Sequence, residues 1–208
     1  MLRSWRTLIT NRLNNPLGAL APRIADHPAL DLVNTVAVVD GTLTDFLQDD
    51  SDVVAWLAAQ GIAVSLPPNL EKYALLLSAR DLRSLIKKAV DKKKAGKPFN
   101  PSDLNVKLRA GAGYVTLDSQ RDGTLAASKR WGTESAEQIL GPIIESAAEL
   151  LTQGDFELVK ACEDEACVLW FYDRTKSHRR RWCSVATCGN RNKVAAFRAR
   201  RRSEKSKS

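Results

Sequence analysis

Apolar residues recur at the helical period in the middle of the chain. Between Pro67-Pro68 and Gly96 they fall on one face, at Leu75, Leu82, Leu85, Ile86, Ala89 and Val90. The lysines just before Gly96 suit the negative end of a helix dipole. This pattern predicts a long amphipathic helix that starts after Pro68 and ends before Gly96.

Shorter patterns predict a helix on either side of it. Ser51 can cap the segment DVVAWLAAQ, in which three large apolar residues share a face. Ser135 and Gln138 match a capping box ahead of a second helix. Gly141-Pro142 lies within that segment, so we expect a kink or a restart there.

Two further segments have the composition of strands. Tyr114 to Leu117 and Thr124 to Ala127 alternate around Asp122-Gly123, a pattern typical of a β-hairpin. HPALDLVNTVAVVDG, from His27 to Gly41, is rich in apolar and β-branched residues. Its pattern leaves helix and strand both open.

Charge separates the end of the chain from the rest. The 208 residues carry a formal charge of +8, of which the segment from Lys160 onward contributes +9 and the rest of the chain −1. The remainder is close to neutral, so the pattern indicates a basic module attached to a neutral domain, with an anionic polymer as its partner. No segment is apolar enough to span a membrane, and we expect a cytoplasmic protein with no membrane partner.

All four cysteines lie in this basic segment: Cys162, Cys167, Cys183 and Cys188. The spacing C-x4-C-x15-C-x4-C gives two close pairs, each able to wrap one side of a tetrahedral Zn²⁺. Two disulfides or four free thiols are the alternatives. We predict one structural zinc, because the sequence shows no signal-peptide pattern and no other cysteine. The metal would supply much of the folding free energy, since a small module of this kind has too few apolar residues for a core of its own.

The residues between and after the cysteine pairs suggest a layout. VLWFYD is a strong strand pattern, RRRWC is a candidate return strand, and a helix is expected after Cys188. We expect Val194 and Phe197 on that helix to pack on Trp170 and Phe171. A knuckle, a hairpin and a helix that carries the last ligand form the layout of a treble clef.

Nine cations around the cysteines are candidate nucleic-acid contacts. Guanidinium groups match phosphate oxygens, and phosphate is the commonest ligand of such a surface. Four thiolates on Zn²⁺ carry a net charge of −2, so some of these arginines can instead neutralise the metal site. The candidates are Arg179, Arg180, Arg181, Arg191, Lys193, Arg198, Arg200, Arg201 and Arg202.

The same residues resemble a known family. DRTKSHRRRWCSVATCGNRNKVAAFRARRR is similar to the CGNR zinc finger, named for the tetrapeptide found here at Cys188 to Arg191. Upstream, LDLVNT, DVVAWL, RDLRSLIKKAV and AAELL resemble the ABATE domain that accompanies this finger. The resemblance covers residues 27–202, and it implies a bacterial stress-induced transcription regulator with a DNA-binding zinc finger.

Together these patterns predict an α+β protein. A mainly helical N-terminal domain with a small β-hairpin is expected to precede a treble-clef-like zinc finger. The predicted boundaries are a flexible basic extension (1–26), an ABATE-like domain (27–157), the zinc finger (158–202) and a disordered tail (203–208).

The leading functional hypothesis is a zinc-dependent DNA-binding transcriptional regulator. Its N-terminal domain would sense a small-molecule effector or mediate assembly, for example as a homodimer, and Asp31 and Asn34 are candidates to line a ligand pocket. An RNA-binding or protein-interaction module without sequence-specific readout is the alternative, in which Trp182 beside Arg181 could stack on a base. We do not expect an enzyme, because the sequence contains no nucleophile motif, phosphate loop or acidic metal cluster.

Overall fold

The structure is a computed structural model that describes residues 21–205. These residues fall into two compact units. The second unit is Phe46–Gly154, and the first combines residues 21–45 with 155–205. In chain order the elements are α1 (Pro28–Val33), β1 (Val36–Val39), β2 (Thr42–Asp45), α2 (Asp50–Ala59), α3 (Ala74–Lys94), α4 (Ser102–Ala110), β3 (Tyr114–Ser119), β4 (Leu125–Arg130), α5 (Ala136–Gln153), β5 (Val159–Ala161), β6 (Trp170–Tyr172), a π-helical turn (Val185–Gly189) and α6 (Asn190–Lys205).

Helix α3 is the centre of the second unit, and it confirms the helix predicted from apolar spacing. Its buried face packs against α5 and α2. The helix begins only at Ala74 because Tyr73 adopts a left-handed conformation. The carboxylate of Asp50 accepts hydrogen bonds from the backbone N–H groups of Tyr73 and Leu76, so α2 supplies the cap of α3.

Helix α2 carries its apolar face where the sequence predicted it, with Trp56 and Leu57 buried. Its cap is different. The carboxylate of Asp49 accepts a hydrogen bond from the backbone N–H of Asp52, and the carboxylate of Asp52 accepts one from the backbone N–H of Asp49. These two reciprocal bonds form a capping box. Ser51, the predicted cap, lies inside the helix.

Helix α5 runs from Ala136 through Pro142 without the predicted restart. Ser135 caps it by accepting from the backbone of Gln138, as predicted. Gly141, within α5, allows close packing and does not mark a new helix. Trp131 lies so close to its Cα that a Cβ atom would not fit.

In the first unit, the structure shows whether the segment from His27 to Gly41 is a helix or a strand. His27 to Gly41 forms a helix followed by a strand, because Asn34 ends α1 and β1 pairs with β2 across the turn at Asp40-Gly41. Asn34 is fully buried, and its side chain donates to the carbonyl of Trp170 and accepts from the N–H of the same residue. This amide therefore fixes α1 beside β6.

The hairpin of the cysteine module differs from the predicted one. β6 pairs with β5, with Val159 opposite Tyr172, and the first cysteine pair lies in the connection between them. The predicted return strand at RRRWC is wrong, since residues 179–183 form no strand. A buried carboxylate, Asp173, accepts from the backbone of Thr175 and Arg180 and so holds this segment as a loop.

The ends of the chain lie partly outside the described residues. Of the predicted extension 1–26, the structure describes only residues 21–26, where Ala25 is fully buried and accepts a hydrogen bond from the backbone of Tyr172. Of the predicted tail 203–208, it describes 203–205, which continue helix α6.

The fold class is confirmed as α+β. Across residues 21–205, helices combine with three two-stranded antiparallel sheets. The treble-clef layout stays a prediction. Within the same range, no helix is long and apolar enough to cross a membrane.

We predict that Asn34→Ala destabilises the first unit by about 1–3 kcal/mol, because the replacement removes both hydrogen bonds between this buried side chain and the backbone of Trp170. Hydrogen exchange at the amides of β5 and β6 measures the loss. Thr44→Ala, which removes an exposed local hydrogen bond in β2, is the control and should leave exchange unchanged. Equal protection in both variants would contradict the role of Asn34.

Candidate metal centre

The four cysteines converge on one point. All four Sγ atoms lie within 4.8 Å of one another, and three of the four residues are buried. The Sγ of Cys183 lies 3.7 Å from that of Cys167 and 3.6 Å from that of Cys188. A zinc tetrathiolate with bonds of ~2.3 Å has sulfur–sulfur edges of about 3.8 Å, so the residues present fit a structural Zn²⁺.

The first pair sits in the connection between β5 and β6. Cys162 follows β5 directly, and its backbone N–H continues the pairing by donating to the carbonyl of Leu169. Asp164 turns the chain, because its carboxylate accepts from the N–H of Ala166 and its carbonyl accepts from the N–H of Cys167. Both thiols therefore face the same side of the turn.

The second pair is held by a loop and a π-helical turn. Cys183 donates its backbone N–H to the sulfur of Cys162, at 3.4 Å. Ser184 caps the turn by accepting from the N–H of Thr187. Cys188 lies at the end of this turn, directly before α6, so the predicted helix after the last ligand is confirmed.

The pKa values of three clustered thiols are shifted in different directions. The hydrogen bond with Cys183 lowers the pKa of Cys167 to about 5. That same hydrogen bond, burial and the neighbouring sulfurs raise the pKa of Cys183 far above its ordinary value. Burial raises the pKa of Cys188 to about 12, against the hydrogen bond from Arg191. Four thiolates at this spacing need a divalent cation, and none of the four cysteines forms a disulfide.

Asp164 and Arg191 support the centre from outside. Asp164 is 4% exposed, and it accepts from Nε of Arg191 at 2.9 Å and from the side-chain amide of Asn192 at 2.8 Å. The other arm of Arg191 donates to the sulfur of Cys188 at 3.3 Å. Arg191 thus connects the first cysteine turn to the start of α6, and its charge offsets the negative charge of the thiolates.

Arg180 ties the second cysteine pair to the N-terminal segment of the first unit. Its guanidinium lies 4.3 Å from the ring centroid of Phe171 and donates to the carbonyls of Cys183 and Ile24. It also pairs with the carboxylate of Asp26 at 2.5 Å. This side chain is a structural connector.

The structure divides the nine predicted cations into three groups. Arg180, Arg181 and Arg191 have carboxylate partners within the first unit, namely Asp26, Glu163 and Asp164. The guanidinium of Arg181 also lies over the ring of Trp182, at 4.8 Å from its centroid. Arg201 lies 5.8 Å over the ring of Phe197. The remaining five are exposed and have no hydrogen-bond or ion-pair partner for the side chain among residues 21–205: Arg179, Lys193, Arg198, Arg200 and Arg202.

Asp31 and Asn34, the candidate ligand-pocket residues, are both buried and engaged with the backbone. One carboxylate oxygen of Asp31 accepts from the N–H groups of Ile24 and Ala25. Burial raises the pKa of Asp31, although these two hydrogen bonds oppose the shift. Asn34 is hydrogen-bonded to the backbone of Trp170. Neither Asp31 nor Asn34 lines the cavity of about 740 Å³ that lies beside the four cysteines.

Two acidic residues in the module were missed by the sequence analysis. Besides Asp164, Asp173 is fully buried and forms an ion pair with Lys160 at 2.8 Å. Burial raises the pKa of Asp173, but hydrogen bonds from Lys160, Thr175 and Arg180 outweigh it and hold that pKa well below its usual range. The sequence signal for Asp164 was its position between Cys162 and Cys167.

The predicted packing of α6 on the hairpin is wrong. Phe171 is fully buried, but it is covered by Arg180. Val194 and Phe197 remain 40% and 53% exposed. The helix is attached through its first turn at the metal centre, and its later turns reach into solvent.

Two family models match the chain. The ABATE model, described as "putative stress-induced transcription regulator", matches residues 26–154. The CGNR zinc finger model matches residues 159–201, which include the four cysteines. No curated protein matches the chain.

We predict that Asp164→Asn lowers zinc affinity about 10- to 100-fold, because the neutral side chain no longer holds Arg191 against Cys188. Competition with a chromophoric chelator measures the affinity. Glu165→Gln makes the same chemical change at the neighbouring exposed position and should retain full affinity. Equal affinities in the two variants would show that Asp164 does not support the centre.

We also predict that the native protein contains one zinc per chain. Removing it should increase hydrogen exchange in residues 159–189 strongly, because metal binding supplies much of the folding free energy of such a module. Helices α3 and α5 provide an internal control and should stay protected. Unchanged exchange in the metal-free protein would overturn the structural role of the ion.

Proposed function

The chain belongs to the ABATE family and carries a CGNR zinc finger, and on this basis we propose that it is a DNA-binding transcription regulator. In this proposal the zinc finger presents helix α6 to duplex DNA. Its N-terminal domain senses a small effector or mediates assembly, and the protein acts in the cytoplasm without catalysing a reaction.

The observation that supports the proposal most is the charge of α6. Four of its cations are exposed and unpaired within the described range: Lys193, Arg198, Arg200 and Arg202. Like charges at this spacing repel one another, and a polyanion relieves the repulsion. Since α6 is fixed only at its zinc-bound end, this charge is available to an approaching backbone of phosphates.

Shape favours duplex DNA over duplex RNA. A helix of 16 residues is about 24 Å long, and the major groove of B-DNA admits an α-helix. The major groove of A-form RNA is deep and narrow, so side chains cannot read it. The alternative of a single-stranded RNA partner included stacking of a base on Trp182, and Arg181 already lies over one face of that ring at 4.8 Å from its centroid.

We predict that binding to duplex DNA weakens steeply with salt, and that Arg202→Ala reduces the slope of log K against log salt concentration by about one unit. The reason is that each lost phosphate contact releases about one counterion fewer. Fluorescence anisotropy with a labelled duplex, at several salt concentrations, measures the slope.

Lys97→Ala is the matched control, because it removes one positive charge from an exposed loop of the second unit. It should leave the slope unchanged. Equal slopes for both variants would contradict a phosphate contact at Arg202. Tighter binding to single-stranded RNA than to any duplex would reject the DNA-binding proposal in favour of the RNA-binding alternative.

A further inference from the structure

A groove of about 740 Å³ lies within the first unit, beside the metal centre. Residues of β1 and of α6 line it, together with Ile24 and three of the four cysteines: Ala37, Val39, Val194, Ala195, Cys167, Cys183 and Cys188. The volume falls in the range of sites that hold small organic molecules, which are mostly apolar concavities with a few placed polar groups.

Much of the lining is apolar, and residues 21–205 leave the space between β1 and α6 unfilled. Val194 faces the groove and keeps 40% of its surface exposed, because α6 does not pack on the hairpin aromatics. Ile24 is half-buried and adds aliphatic surface to the lining, whereas Ala37, Val39 and Leu169 are already buried. An apolar ligand would remove the exposed surface of Val194 and Ile24 from water, which is favourable in proportion to the area covered.

The rim of the groove selects the charge of the ligand. Arg198 lies on the same face of α6 as Val194, one helical turn farther on, and it has no partner in the described chain. Arg191 also borders the groove and keeps about half of its side chain exposed while it pairs with Asp164. Asp40 and three of the zinc ligands also line the groove, and the charge of Arg191 is already engaged by Asp164 and the thiolates. Arg198 is therefore the lining cation without a partner among residues 21–205, and its guanidinium can form a two-pronged contact with a carboxylate.

From this arrangement we propose that the groove binds an amphipathic carboxylic acid. The apolar body of the acid lies between β1 and α6, and its carboxylate binds Arg198. The binding step stands independently of the proposed DNA contact, but its regulatory consequence rests on that proposal. Arg198 belongs to the cationic face of α6, so a bound carboxylate takes this guanidinium away from phosphate and adds a negative charge. The acid is therefore an effector that weakens DNA binding, and DNA must weaken binding of the acid by the same factor.

The probe for a direct test is sodium 2-naphthoate, titrated calorimetrically into the zinc-loaded full chain without DNA. We expect one site per chain. Acetate, which has the carboxylate without the apolar body, and 2-naphthylmethanol, which has the body without the charge, should each bind at least about tenfold more weakly. Equal binding of naphthoate and naphthylmethanol would overturn the role of Arg198.

Two variants locate the site. Val194→Trp places an indole ring where the apolar body of the acid would lie and should abolish binding. Arg198→Gln should weaken naphthoate about tenfold, whereas Arg200→Gln, two residues farther on and on the opposite side of the helix, should have no effect. Zinc content verifies that each variant retains the metal centre. Wild-type affinity in Val194→Trp, or equal affinity in the two arginine variants, would place the acid elsewhere and reject the inference.

DNA binding with and without naphthoate completes the test. A protein that binds naphthoate in the groove but binds no duplex would refute the proposed function and leave the ligand site intact. A protein that binds duplex but not naphthoate would refute the ligand site alone. If both bind without affecting each other, the shared use of Arg198 is wrong.

Discussion

The first unit depends on four cysteine sulfurs that must stay close together although each repels the others once it loses its proton. A divalent cation at their centre removes that conflict, and the surrounding residues are arranged to keep it there. Asp164 and Arg191 brace one side of the cluster. Arg180 braces the other by connecting the loop at Cys183 to Ile24 and Asp26. The metal centre therefore organises segments that lie far apart in the sequence.

The same constraint explains why the arginines of this module are not equivalent. An arginine near the thiolates finds a carboxylate or a sulfur within reach, and it becomes part of the fold. Arginines beyond the first turn of α6 have no such partner, and they remain exposed. Arg191, the last residue of the tetrapeptide that names the zinc finger, belongs to the first group. Arg198 and Arg202 belong to the second.

Helix α6 is unusual because it is secured at one end only. Its exposed apolar residues, Val194 and Phe197, border different surroundings, since Val194 lines the groove and Phe197 lies beneath Arg201. A helix held in this way can present a charged surface to one partner and an apolar wall to another. Competition between two ligands for one guanidinium follows from this geometry without any large movement of the chain.

Local chemistry in the sequence determined the metal ligands, the position of the helix after Cys188, the apolar face of α3 and the turn at Asp122-Gly123. Spacing and turn residues act over a few positions, so a linear pattern suffices to identify them. Only the tertiary structure decided which strand pairs with β6, which arginines are free, and what Asn34 and Asp164 do. Those outcomes depend on partners far away in the chain. Asn34 binds a backbone 136 residues distant, and Asp50 caps a helix that starts 24 residues later. A buried amide or carboxylate forms a hydrogen bond with the partner that the fold brings within about 3 Å. That proximity is set by the tertiary structure and cannot be read from residue spacing.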